Sequence, residues 1–106
     1  MNDFLKEEMH RKRTDLDALR QKYGVARLDL FGSAATSEWR PGESDLDFIV
    51  VFRERPGQGV ADRYLGLAED LEALLGWPVD LLTEEAIRNP YFREAVEATR
   101  TPVYGA

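Results

Sequence analysis

Two aspartates separated by a single residue, Asp45 and Asp47, stand at the head of the apolar run Leu46–Phe52. Residues two apart on a strand project to the same face, about 6–7 Å apart along the chain, so the pair presents its carboxylates side by side. Left alone, two such groups repel and raise each other's pKa. A hard divalent cation such as Mg²⁺ is their natural occupant, because it accepts carboxylates together with substrate phosphate oxygens. Upstream lies Gly32-Ser33, separated from Asp45 by the eleven residues 34–44. Glycine lets a phosphate approach the backbone, and the serine adds a hydroxyl donor. If Ser33 opens a helical turn, unpaired backbone N–H groups would also face an anion. A third acid, Asp80, sits in Val79-Asp80-Leu81, where apolar neighbours predict burial in a sheet and so a partner or a metal. Three carboxylates on adjacent strands beside a Gly-Ser phosphate cradle describe a two-metal phosphoryl-transfer site. Asp45, Asp47 and Asp80 are its candidate catalytic and metal-binding residues, and Gly32 and Ser33 its candidate phosphate-binding residues. Each piece alone is ordinary: Gly-Ser is usually a turn, and Asp-x-Asp a polar strand start. The order of all the pieces along one chain carries the reading.

These residues need elements to hold them. Leu5, Met9, Leu16, Leu19 and Tyr23 recur on one face of a helix predicted over residues 3–22, with Gly24 as its stop. Val25–Phe31 reads as a strand that delivers Gly32-Ser33, and 34–44 as a helical turn and loop around Pro41-Gly42. Residues 46–52 are apolar on both faces, which places that strand at the centre of the fold. Val60, Tyr64, Leu67, Leu71, Leu74 and Leu75 mark a second amphipathic helix closed by Gly76 and Pro78, followed by a short strand from Val79 to Leu82. Thr83 is a predicted cap for a short helical segment, and Asn89-Pro90 opens a last helix over 90–98 before an extended tail at 102–104. This order predicts one α/β (α+β) domain over residues 1–106 with a small mixed sheet flanked by helices.

Composition narrows the function. The chain has 106 residues, 43% hydrophobic and 32% charged, with no cysteine and one histidine. Thiolate zinc sites and disulfides are therefore out. No apolar run reaches the length of a membrane helix and MNDFLKEEMHRKR has no signal-peptide core, so a cytoplasmic protein with no membrane partner is expected. The net charge is −6, and residues 69–85 hold six acids and no lysine or arginine. That balance argues against direct nucleic-acid binding. The basic stretch His10–Arg13 reads as a solvated helix face.

The segment LFGSAATSEWRPGESDLDFIVVF resembles the signature of minimal nucleotidyltransferases (MNT) of the DNA polymerase β superfamily. The resemblance continues through Trp77-Pro78-Val79-Asp80-Leu81-Leu82-Thr83 and Thr101-Pro102-Val103-Tyr104-Gly105. It implies that Asp45 and Asp47 are shared metal ligands, that Asp80 binds the second metal and helps deprotonate the attacking hydroxyl, and that Gly32 and Ser33 hold the triphosphate. Stand-alone members are similar to the antitoxins of HEPN–nucleotidyltransferase toxin–antitoxin modules. The resemblance thus implies a Mg²⁺-dependent enzyme with ATP as substrate and a HEPN toxin as partner, transferring AMP to a toxin tyrosine and silencing it. The loop before Asp45 is one residue longer than the family usually has, with the insertion expected at Gly42-Glu43. Ala34-Ala35-Thr36-Ser37 also stands where an arginine and a glycine are common. Arg40, Arg53 and Arg55 read as solvated loop charges, any of which could replace the missing cation.

Two other functions compete: a catalytically weak module that neutralises a toxin by docking, and a small-molecule nucleotidyltransferase, for which the chain is short of an acceptor domain. A shallow site on a small core should be completed by a partner or by self-association. Trp39 reads as a cover for the core edge, with base stacking as the alternative. Trp77 and Tyr64 read as core. Tyr64, Tyr91 and Tyr104 could each accept AMP, Asp29 is expected to face solvent, and His10 to be exposed.

Overall fold

The computed structural model describes residues 1–104, with Tyr104 by its backbone alone. Gly105 lies outside the described residues. Four strands form one mixed sheet: β1 (Val25–Phe31), β2 (Leu46–Phe52), β3 (Val79–Thr83) and β4 (Thr101–Tyr104), in the order β3-β2-β1-β4. β1 runs antiparallel to both β2 and β4, while β2 and β3 are parallel. The strand that is apolar on both faces, β2, is internal, and Phe48, Ile49 and Val50 are fully buried.

The two faces of the sheet are covered unequally. On one, Leu28 and Leu30 of β1 oppose Val50 and Phe48 of β2 and pack beneath helices α1 (Asp3–Arg11), α2 (Arg13–Tyr23) and α3 (Val60–Leu75). Those helices contribute Leu5, Met9, Leu16, Leu67, Leu71 and Leu75 to this main core. On the other face Phe31 and Ile49 form a smaller cluster with Ile87, Leu82 and Val96, the last from α4 (Pro90–Thr99). That thin cover leaves Asp47 of β2 half-buried and Asp80 of β3 exposed.

Local signals explain most boundaries. Gly24 and Gly76 end α2 and α3 in the left-handed conformation (φ 64° and 80°) that glycine adopts without steric cost. Asn89 caps α4 by accepting from the N–H groups of Tyr91 and Phe92, with Pro90 in the first turn.

Four expectations are corrected. The helix predicted over 3–22 is two helices that break at Lys12, so that α1 can reach across to the loop after β1 while α2 packs on α3. Thr83 stands at the head of a 3₁₀ turn, Glu84–Ala86, but its side chain makes no capping bond. Val60, placed on the apolar face of α3, is exposed. Asp29 is fully buried rather than solvent-facing, because β4 and α4 deliver Arg100 to it: Arg100 Nε lies 2.5 Å and Arg27 Nε 2.8 Å from Asp29 Oδ2. Arg100 continues to Glu84 at 2.6 Å.

Trp39 and Trp77 pack edge to face at 5.1 Å, and Phe4 stacks on Trp39. Trp39 is 2% exposed, which removes it as a base-stacking surface. Tyr64 is half-buried, and its hydroxyl donates to the Leu81 carbonyl. His10 is exposed.

Candidate active site

Strand register assembles the candidate residues. Asp47, the second residue of β2, is paired with Phe31 of β1 on one side and with Asp80 of β3 on the other. Neighbouring strands lie about 4.8 Å apart, so the Asp47 and Asp80 side chains leave the sheet together on its thinly covered face. Asp45 precedes the strand by one residue and adds its charge to the same place. Phe31 is followed at once by Gly32, which has φ 65°, and a Cβ there would sit 2.9 Å from Asp47 Oδ2. Glycine is thus required twice over at this position, by the backbone and by the carboxylate packed against it.

Electrostatics mark the cluster as incomplete. Burial first, then the charges of Asp80 and Asp45, push the Asp47 carboxyl up to about 6. No cation or donor offsets them. An all-oxygen, acid-rich donor set under mutual repulsion fits a hard divalent cation. Among the described residues no three histidine, cysteine, aspartate or glutamate side chains are grouped so as to hold a metal ion, so the three acids do not converge as a ready-made metal site. Asp80 departs from expectation: it is exposed, because β3 is an edge strand whose beginning nothing covers.

Gly32–Ala35 forms a single 3₁₀ turn. The Gly32 N–H donates to Thr99 Oγ1 at 2.9 Å, so α4 ties down the turn. The Ser33 carbonyl accepts from the Thr36 N–H and hydroxyl at 3.1 and 3.0 Å. Between this turn and α4 opens a cleft of about 330 Å³, lined by Phe31, Gly32, Ser33, Phe92, Val96 and Thr99 among others. Phe31 and Phe92 meet edge to face at 6.1 Å. Sequence reading missed Phe92 and Thr99; their spacing with Ala95 and Val96 along one face of α4 was the available signal. Glu43 and Ser44 N–H groups bond back to the Arg40 carbonyl, and Gly42 (φ 80°) points into open space.

Residues 13–101 match the family model described as "Nucleotidyltransferase domain". A Methanocaldococcus jannaschii chain named as a protein adenylyltransferase is 43% identical over 79 residues, covering 74% of this chain and 77% of its own. The structure of a minimal nucleotidyltransferase superposes with TM-score 0.70 at 32% identity, covering 91% of this chain and 93% of that one. A tri-AMPylated HEPN toxin–MNT antitoxin complex from Shewanella oneidensis shares the fold, with TM-score 0.61 at 17% identity and coverage of 92% and 73%. With Asp47 and Asp80 on neighbouring strands, Asp45 one residue ahead of β2, a Gly-Ser turn beside them and a family match across most of its length, the chain belongs to the nucleotidyltransferase family and is a minimal nucleotidyltransferase.

Proposed function

We propose that this enzyme transfers AMP from ATP to a tyrosine hydroxyl of a HEPN-type toxin and neutralises it, with Mg²⁺ as cofactor. The observation that carries the reading is the uncompensated acid cluster of Asp47, Asp80 and Asp45 abutting Gly32. The names of the relatives supply the acceptor class: one is called a protein adenylyltransferase, and one neighbour is an AMPylated toxin bound to its antitoxin.

In this reading Gly32 and the Ser33 hydroxyl receive the triphosphate, and the nucleoside lies in the cleft between the turn and the Phe92 face of α4. Asp45 and Asp47 would hold the shared metal and Asp80 a second one. Bound there, Mg²⁺ would supply charge neutralisation for the attacking and leaving oxygens. The acceptor hydroxyl attacks the α-phosphorus in line, the bond to the β-phosphate oxygen breaks and pyrophosphate leaves. Asp80, exposed on an edge strand, is placed to take the hydroxyl proton from a macromolecular acceptor.

The test is intact-mass measurement of the partner toxin after incubation with this protein, ATP and Mg²⁺, beside a variant carrying Asp45→Ala and Asp47→Ala. AMP-sized increments that disappear with the variant are expected. An unchanged mass in a stable complex that still binds ATP rejects transfer and leaves neutralisation by docking.

A further inference from the structure

We infer that Arg40 is the cation that meets the nucleotide triphosphate, and that α1 holds it in place through Trp39; this rests on the nucleotide-transfer reading above. A triphosphate entering this site meets three carboxylates, and the residues after the turn, Ala34 and Ala35, are buried and uncharged. Positive charge that the chain adds to that of the Mg²⁺ ions therefore comes from outside the turn.

Most guanidinium groups are already engaged. Asp29 takes Arg27 and Arg100, and Glu84 takes Arg93. Arg63 donates to the carbonyls of Tyr23 and Arg53, and Arg55 to those of Gln21 and Lys22. Arg53 follows the far end of β2, a strand's length from Asp45. Arg40 is different. It is exposed, its side chain has no hydrogen-bond or ion-pair partner among the described residues, and it lies on the loop that joins the Gly32-Ser33 turn to Asp45.

That loop is fixed at Arg40 from both sides. On one, Trp39 is buried, its carbonyl accepts from Asn2 Nδ2 at 3.2 Å, and its ring stacks on Phe4 at 6.3 Å and 11°. On the other, the Arg40 carbonyl accepts the N–H groups of Glu43 and Ser44 at 3.2 and 3.1 Å. Anchoring at Arg40 divides the eleven-residue connection into two short pieces. The anchor is provided by α1, which precedes the segment matched by the family model. Arg40 is thus a binding residue, while Asn2 and Phe4 are positioning residues.

The experiment compares wild type with Arg40→Gln, Arg40→Lys, Phe4→Ala and, as a second exposed arginine, Arg88→Gln. It reads KM for ATP and inhibition by inorganic tripolyphosphate and by adenosine. For Arg40→Gln, KM for ATP and the inhibition constant of tripolyphosphate should rise about tenfold while that of adenosine stays put. Lysine should recover most of the loss, and Phe4→Ala should show the same pattern to a smaller degree. The inference is overturned if Arg40→Gln matches wild type, if adenosine inhibition weakens equally, or if Arg88→Gln alone reproduces the effect. Wild-type protein that neither binds ATP nor transfers AMP overturns the transfer reading and this inference with it.

Discussion

Asp47 shows how the site opposes the stability of its own fold. Its carboxyl keeps a proton up to about pH 6, whereas an ordinary aspartate releases it near 3.8. Between those values the folded state binds more protons than the unfolded chain, so this residue's contribution to stability falls as pH rises through that window. At neutral pH the ionised group is a net cost, discounted to about 1 kcal/mol because it is only half-buried. Asp47→Asn should therefore raise the unfolding free energy of the metal-free protein by about that amount, read as a higher urea midpoint, while abolishing AMP transfer. A destabilised Asn variant would show that the negative charge has a favourable partner in the apo protein. Gain of stability with loss of function is the expected signature of groups gathered for chemistry rather than for folding.

At the scale of elements, the thin side of the sheet is held by Arg100. It lies between α4 and β4 and bonds Asp29 on β1, Glu84 on the 3₁₀ turn and Glu97 on α4. The Arg100 guanidinium, mainly by hydrogen bonding, holds the Glu84 carboxyl below its usual range, with Arg93 assisting. A depressed folded pKa contributes stability above the unfolded value near 4.5, and that contribution is lost as pH falls through the folded value. Arg100→Ala should cost about 3 kcal/mol at pH 7, since it leaves Asp29 buried with Arg27 as its remaining partner. The variant should also have a shallower acid limb, because its Glu84 loses the main group that lowers its pKa and keeps only Arg93. Chemical denaturation across pH 3–7 measures both effects; an unchanged acid limb would mean that Glu84 is held down by something other than Arg100.

At the scale of the molecule, one face of the sheet makes the core and the other makes the site. The main core lies under α1, α2 and α3, whereas the acids emerge where the opposite cover stops. Among the described residues no helix is long and apolar enough to cross a membrane. A ligand that binds only the folded state stabilises it by about 2.7 kcal/mol at a hundredfold excess over Kd. ATP with Mg²⁺ should thus raise Tm by on the order of 10 °C. A variant with both Asp45→Asn and Asp47→Asn should lose most of that rise. Calorimetry with and without nucleotide checks it, and an equal rise in both proteins would separate nucleotide binding from the acid pair.

By itself the sequence determined the strands, the capped helix ends and the order of Gly32-Ser33, Asp45, Asp47 and Asp80, because each depends on local periodicity, turn chemistry or chain order. The alternation of Val25–Phe31 and the apolar run of β2 were legible for that reason, as was Asn89-Pro90 at the head of α4. Tertiary structure alone decided what lies beside what. Nothing in the sequence near Lys12 breaks a helix; the structure divides it there, with α1 packed through Phe4 on Trp39 and α2 packed on α3. Asp29 and Asp80 each sit in an apolar strand, yet one is buried and the other exposed. The difference is strand order: β1 is internal and receives Arg100 across β4, while β3 is an edge with an uncovered beginning. Register on β2 then set Asp80 beside Asp47, a long-range pairing to which local sequence carries no signal.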